Sequence, residues 1–181
     1  MNINVHLELS NPMSEQFINT VASASLDAYK SKWLDNINRV IGPSGRGNKL
    51  RTYCKFKSEF KTEKYCQIIM PLKHRSAFAK FRCGVAPLKI ETGRYENIPI
   101  VDRKCHFCES IETEQHVMLE CELYNDLRQP LYKKATEIDS AFPGLSEEEK
   151  FIFAFSNHFM IRLCAKTCFN ILQRRTFYLC K

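Results

Sequence analysis

The sequence predicts a mostly α-helical fold carrying one short cysteine-rich insert. Apolar residues recur at three- and four-residue steps over several segments, which is the spacing of a helix face. Only 6 glycines and 7 prolines occur in 181 residues, too few for a turn-dense all-β chain. Five of the cysteines and histidines gather between residues 105 and 121, apart from the periodic segments. The composition, 44% apolar and 26% charged, supports a packed core and excludes disorder throughout.

The elements follow in chain order. The first thirteen residues, MNINVHLELSNPM, are polar, with neither a basic leader nor an apolar run, so no secretory signal is expected. Residues 14–41 read as a helix with a stripe of Phe17, Val21, Ala24, Ala28, Leu34, Ile37 and Ile41. Gly42-Pro43-Ser44-Gly45-Arg46-Gly47 ends it as a loop. Its glycines have the spacing of a phosphate-binding loop, but Asn48 stands where that loop needs lysine and a helix precedes it, so a nucleotide site is not expected. In residues 49–70, Leu50, Tyr53, Phe56 and Phe60 fit a helical stripe, with a second short helix around Glu63–Ile69.

Pro71 before and Gly84 after bracket a helix over residues 72–83. Residues 85–104 hold two prolines and a glycine and read as an irregular, largely exposed connector. Leu123, Leu127, Leu131 and Ala135 mark a helix over 123–139, broken at Ala141-Phe142-Pro143-Gly144. Ser146 with Glu149 three residues on is a capping box. The helix it opens runs through Phe155 and, after a break at Ser156-Asn157, on to about Tyr178. This divides the chain into an N-terminal helix and loop (1–48), a basic helical segment and connector (49–104), the cysteine-rich insert (105–122) and C-terminal helices (123–181).

Charge is unevenly spread. Residues 1–48 are neutral, 49–104 carry +9, 105–150 carry −7 and 151–181 carry +5. A block of +9 suits a polyanion, because neutralised phosphates release counterions; the same block also suits a solvated helix face. Lys73, Arg75, Lys80 and Arg82 lie on one short helix, and with Arg94, Arg103 and Lys104 they form the predicted phosphate-contact set. Arg162, Lys166, Arg174 and Arg175 form a second candidate face on an acid-free last helix. The longest uncharged windows, Gln16–Leu26 and Phe151–Ile161, fall well short of the ~20 residues a membrane helix needs.

Nine cysteines, an odd number without a secretory signal, point to a reducing intracellular setting and to metal or thiol chemistry. Cys105, Cys108, His116 and Cys121 spell C-x2-C-x7-H-x4-C. Two cysteines two residues apart turn a tight knuckle and present both sulfurs to one ion. His116 and Cys121 lie on a predicted short helix capped by Thr113, about 1.4 turns apart, which predicts that their side chains converge. Three thiolates and one imidazole form a closed tetrahedral set for one structural zinc ion. His106 is a competing ligand, ranked below His116. Phe107 at the knuckle tip either stacks on a base or packs inward, and Val117, Met118 and Leu119 anchor the knuckle to the helical body. The acids Glu109, Glu112, Glu114, Glu120 and Glu122 make the knuckle itself a poor phosphate binder, so nucleic acid is expected on the preceding basic block. Cys164 and Cys168, four apart on a helix, either begin a second metal site or are buried core cysteines.

The run from Arg75 to Arg128 resembles the region downstream of the reverse transcriptase in non-LTR (LINE-type) retrotransposons. The likeness lies in Arg82-Cys83-Gly84, Thr92-Gly93-Arg94-Tyr95, the step from Pro99 through Arg103 to Cys105-x-x-Cys108, His116-x4-Cys121 and the Cys-x-Leu-Tyr that follows. Flanking segments look similar too: Leu50-Arg51-Thr52-Tyr53 with Phe56-Lys57, and Cys164 to Cys168 before Gln173-Arg174-Arg175. The resemblance covers roughly residues 30–181. It implies a zinc-stabilised, non-catalytic module that helps a polymerase hold RNA or DNA, with the polymerase part of the parent element as a further partner and the nucleus as a setting. No Phe/Tyr-x-Asp-Asp motif is present, and no strand pattern carries the acids downstream of Cys121, so neither polymerase nor nuclease activity is expected. The alternative expectation is a zinc-stabilised protein-interaction or scaffold fragment without useful nucleic-acid affinity.

Overall fold

The computed structural model describes residues 14–38 and 51–180. The polar opening stretch, Ile41, the glycine-rich loop and Leu50 lie outside the described residues. The chain forms two units, Met1–Asn36 and Ile37–Lys181. Described residues are mostly helical, and their only β pairing is an isolated antiparallel bridge between Lys104 and Ile111.

The first unit carries all but the last two residues of helix α1, Glu15–Asn38. Ser14 caps it, its Oγ accepting the Phe17 N–H at 3.2 Å. Of the predicted stripe, Phe17, Val21 and Leu34 are exposed, while Ile37 near the end of the helix is buried.

In the second unit the segment after residue 50 is not the striped helix that the periodicity predicts. It forms turns with two short 3-10 pieces, Tyr53–Lys55 and Lys64–Gln67. Of its stripe, Phe56 is claimed by the core instead, while Phe60 is exposed. The Phe56 ring lies 5.6 Å from Phe151 and 5.5 Å from Phe155. Helix α2 (Leu72–Cys83) has the predicted bounds. Gly84 ends it at φ +70°, its N–H on the Phe81 carbonyl and the next N–H, of Val85, on that of Lys80. A side chain there would also strike the Thr52 hydroxyl, 2.8 Å from an ideal Cβ.

The connector 85–104 is more ordered and more buried than its prolines predict. It contains helix α3 (Lys89–Tyr95) and a 3-10 turn at Ile100–Asp102. Ala86, Leu88, Ile90, Glu91, Gly93 and Arg103 are all buried. The reason is a side chain from the far end of the segment. Arg103 runs across α3 and donates from Nε to the Ile98 carbonyl (2.8 Å) and from Nη1 to the Ile90 carbonyl (2.9 Å). Gly93 permits this, since a Cβ there would lie 2.8 Å from Arg103 Cγ.

Helices α4 (Asn125–Ile138), α5 (Glu147–Ser156) and α6 (Ile161–Leu179) complete the unit. The capping box forms: Ser146 Oγ accepts the Glu149 N–H at 3.3 Å and Glu149 returns a bond to the Ser146 N–H at 2.8 Å. Leu131 and Ala135 of α4 are buried, with Leu123 and Leu127 partly so. On α6, Ile161, Cys164, Ala165, Cys168 and Ile171 turn into the core. Helices α2 and α6 pack antiparallel: Lys73 and His74 meet Phe169, while Arg82 reaches the Phe155 carbonyl just before α6. Phe78, Phe151 and Phe155 fill the space between, with ring centroids 4.7 to 5.1 Å apart. Truncating Phe155 would cost about 3–5 kcal/mol.

Candidate metal centre

The knuckle is built from short backbone bonds. The Cys105 N–H donates to the Ser110 carbonyl and the Ser110 N–H to that of Cys108, both at 2.7 Å, while the Glu112 N–H closes onto Arg103 at 2.9 Å. Glu109 takes the left-handed conformation, φ +58°, that this tight return requires. Both sulfurs therefore project from one small loop.

The other two ligands come from a π-helical turn, His116–Glu120. Thr113 caps it as predicted, its Oγ1 accepting the His116 N–H at 3.0 Å. The turn is closed by the Cys121 N–H on the His116 carbonyl at 2.9 Å, a five-residue bond. This corrects the helix argument for convergence. On an α-helix, a separation of about 1.4 turns leaves two side chains on opposing sides. The wider turn brings residue i and residue i+5 back over one another.

The four donor atoms of Cys105, Cys108, His116 and Cys121 all lie within 4.8 Å of one another, and the group can hold a metal ion. Cys105 Sγ stands 4.0 Å and Cys108 Sγ 3.8 Å from Cys121 Sγ, and Cys108 Sγ is 3.0 Å from His116 Nε2. Metal–sulfur bonds of about 2.3 Å at tetrahedral angles place sulfurs about 3.8 Å apart, so the thiol spacing suits a zinc-sized ion. Glu120 Oε2 sits 3.3 Å from His116 Nδ1, which leaves Nε2 as the ligand atom. His106 is exposed and outside the group. Burial raises the Cys105 thiol and pushes that of Cys121 up to about 12. Metal binding therefore has to displace those protons.

The surroundings hold this geometry with buried ion pairs. Glu112 is fully buried and takes two bonds of 2.8 Å from Arg175, plus the Lys89 N–H at 2.6 Å. Glu114, also buried, is paired with Arg51 at 2.6 Å and reached by the Thr52 hydroxyl at 3.3 Å. Arg128 donates to the carbonyls of Leu119 and Cys121, and Tyr132 Oη donates to Leu119 at 3.2 Å. Of the five acids around the knuckle, Glu112 and Glu114 are thus neutralised from within, while Glu109, Glu120 and Glu122 are exposed. Val117, Met118 and Leu119 are buried and tie the turn to the core. Arg51, Arg128 and Arg175 were missed as functional supports by the sequence reading. The available signal was Arg175 itself, which continues the buried α6 stripe of Cys164, Cys168 and Ile171; a charge in that register needs a buried partner.

The predicted phosphate-contact residues separate into two groups. Arg82 is buried, bonded to the Phe155 carbonyl (2.9 Å) and to Glu63 (2.8 Å) and stacked 4.6 Å from the Phe56 ring centroid. Arg103 is spent on α3, Arg94 is paired with Glu91 at 2.7 Å, and Arg75 donates to the Ile68 carbonyl at 2.8 Å. Lys73, Lys80 and Lys104 are exposed, Lys104 lying 3.6 Å from Glu109. On the second candidate face, Arg175 is the buried partner of Glu112 and Arg174 grips Asp126, leaving Arg162 and Lys166 exposed.

Phe107 packs its edge on Tyr178, ring centroids 5.8 Å apart, and stays partly exposed. Cys164 and Cys168 are buried, with Cys168 Sγ 3.8 Å from Met118 Sδ. Among the described residues they gather no further metal ligand. All nine cysteines are unbridged. Among the described residues no helix is long and apolar enough to cross a membrane. No family model, curated protein or solved structure matches the chain.

Proposed function

We propose that Cys105, Cys108, His116 and Cys121 bind one structural zinc ion as a CCHC knuckle, and that the chain is a non-catalytic nucleic-acid-binding module. The observation that carries the metal reading is the convergence of four donors from two separately closed turns, each with its own cap or return bond. A closed set of three thiolates and one imidazole leaves no position for a reacting water, so the ion's work is to hold the fold. The resemblance of residues 30–181 to the region downstream of a non-LTR retrotransposon reverse transcriptase supports the nucleic-acid part. So do the cations left in solvent by residues 49–104. RNA or DNA is the partner class, with the polymerase part of a parent element as a second.

Native mass spectrometry of the wild type beside Cys108→Ser tests the metal. One zinc in the wild type and none in the variant is the expected result, and a folded wild type without zinc overturns the site. An interaction or scaffold role is a second reading, favoured by the exposed apolar residues of α1. It predicts self-association that salt does not weaken, read by analytical ultracentrifugation, and no RNA or DNA binding.

A further inference from the structure

The two helices that pack antiparallel in the second unit, α2 and α6, contain no acidic residue over 12 and 19 positions. Together they carry eight Lys and Arg residues: Lys73, Arg75, Lys80 and Arg82, and Arg162, Lys166, Arg174 and Arg175. The structure sorts these by duty. Arg82 and Arg175 are buried in ion pairs, Arg174 is paired with Asp126, and Arg75 holds a backbone carbonyl. Lys73, Lys80, Arg162 and Lys166 remain, all exposed and, among the described residues, none in an ion pair.

These four belong together. Lys73 and Lys80 are two helical turns apart on α2, and Arg162 and Lys166 one turn apart on α6, so each pair shares a face of its helix. The helices join those faces around one point: the Phe169 ring carries Lys73 Nζ 5.0 Å from its centroid and the His74 ring at 5.3 Å. Partial burial, and then the charges of both Lys73 and Lys166, hold the charged form of His74 down. Phe159, 73% exposed just before α6, adds an open aromatic ring near the Arg162 end. Cations beside one open aromatic ring suit a phosphate backbone whose bases can stack, rather than an acidic protein or a lipid surface.

We infer that the α2–α6 face, through Lys73, Lys80, Arg162 and Lys166, is the surface that binds the phosphodiester backbone of nucleic acid. This rests on the nucleic-acid reading above but moves the contact away from the connector arginines and the knuckle, joining halves of two candidate sets that are far apart in sequence.

The test is a titration of labelled mixed-sequence RNA and duplex DNA against the full chain over a range of salt. The proteins are the wild type, a variant with all four residues changed to glutamine, Phe159→Ala, and Lys133→Gln at an exposed lysine of α4. Zinc content and circular dichroism confirm that each is folded. Four phosphate contacts predict a log–log salt slope about 3 to 4 steeper than that of the glutamine variant. Between 50 and 200 mM salt this is about a hundredfold loss of affinity that the variant does not share. Lys133→Gln should bind as the wild type does, and Phe159→Ala should weaken binding without changing the slope. Wild-type binding with an unchanged slope in the glutamine variant overturns this face while leaving the nucleic-acid reading intact. A wild type that ignores RNA and DNA but binds anionic vesicles or polyglutamate overturns both.

Discussion

The knuckle with its connector and the α2–α6 face are both rich in basic residues, and the two regions use them in opposite ways. Around the knuckle the cations, Lys104 excepted, point inward. Arg51, Arg103, Arg128 and Arg175 are arginines whose flat, forked guanidinium groups satisfy carboxylates and several carbonyls at once. On the α2–α6 face three of the four free cations are lysines, and they end in water. Net charge counts both populations alike. Only the first contributes to the fold, and only the second is available to a ligand.

That contrast can be broken at graded cost. The largest effect is expected from Arg175→Met, which strands the fully buried Glu112 carboxylate beside the metal site. Removing one partner of a buried pair costs about 3–5 kcal/mol, read as a lower urea midpoint. Arg175→Lys should recover only part of it, since an ammonium group cannot reproduce the two parallel bonds to Glu112. A smaller loss is expected from Gly93→Ala. The added methyl meets the stem of Arg103 rather than its flexible tip, and overpacking of this kind costs about 1–3 kcal/mol. It should raise amide exchange across residues 89–103 more than elsewhere.

The smallest effect belongs to the exposed pair of Arg174 and Asp126. The bond to Arg174 holds the Asp126 carboxyl below the usual carboxylate range. Its stabilisation is therefore present above the unfolded pKa, near 4, and is lost as pH falls through the folded value. Because Asp126 is solvent-exposed, Asp126→Asn should cost about 0.5 kcal/mol at neutral pH and nothing in acid. A cost comparable to that of Arg175→Met would mean that burial does not separate structural from available charge.

The parts of the molecule that the sequence reveals are those written locally. Pro71 and Gly84 bound α2, and Ser146 with Glu149 opens α5, because caps and stops act within one turn. The four clustered ligands are visible for the same reason: seventeen residues contain the whole set. Order in the connector is invisible, since it depends on Arg103 reaching back over Gly93 and on Glu112 meeting Arg175 from the far end of the chain. The aromatic stripe of residues 50–60 misleads in the same way. Tyr53, Phe56 and Phe60 have helical spacing, yet Phe56 is drawn onto Phe151 and Phe155, and tertiary packing overrides the local period. The predicted phosphate contacts divide along the same line. Nothing near Arg82 in sequence announces Glu63 or the Phe155 carbonyl as its partners.

The π turn has a consequence for chain length. Its five-residue bond leaves the Leu119 carbonyl to Arg128 and Tyr132 rather than to a helical N–H. The turn therefore acts as a phase setter, with ligand geometry upstream and the rotational setting of α4 downstream both keyed to it. Inserting one residue between His116 and Cys121 would overrun this turn and swing everything after it by about 100°. Cys121 would leave the ligand group and the donors on α4 would turn away from Leu119. Substitutions within this stretch are open to selection one at a time, whereas a change of length is a change of gear for both halves at once.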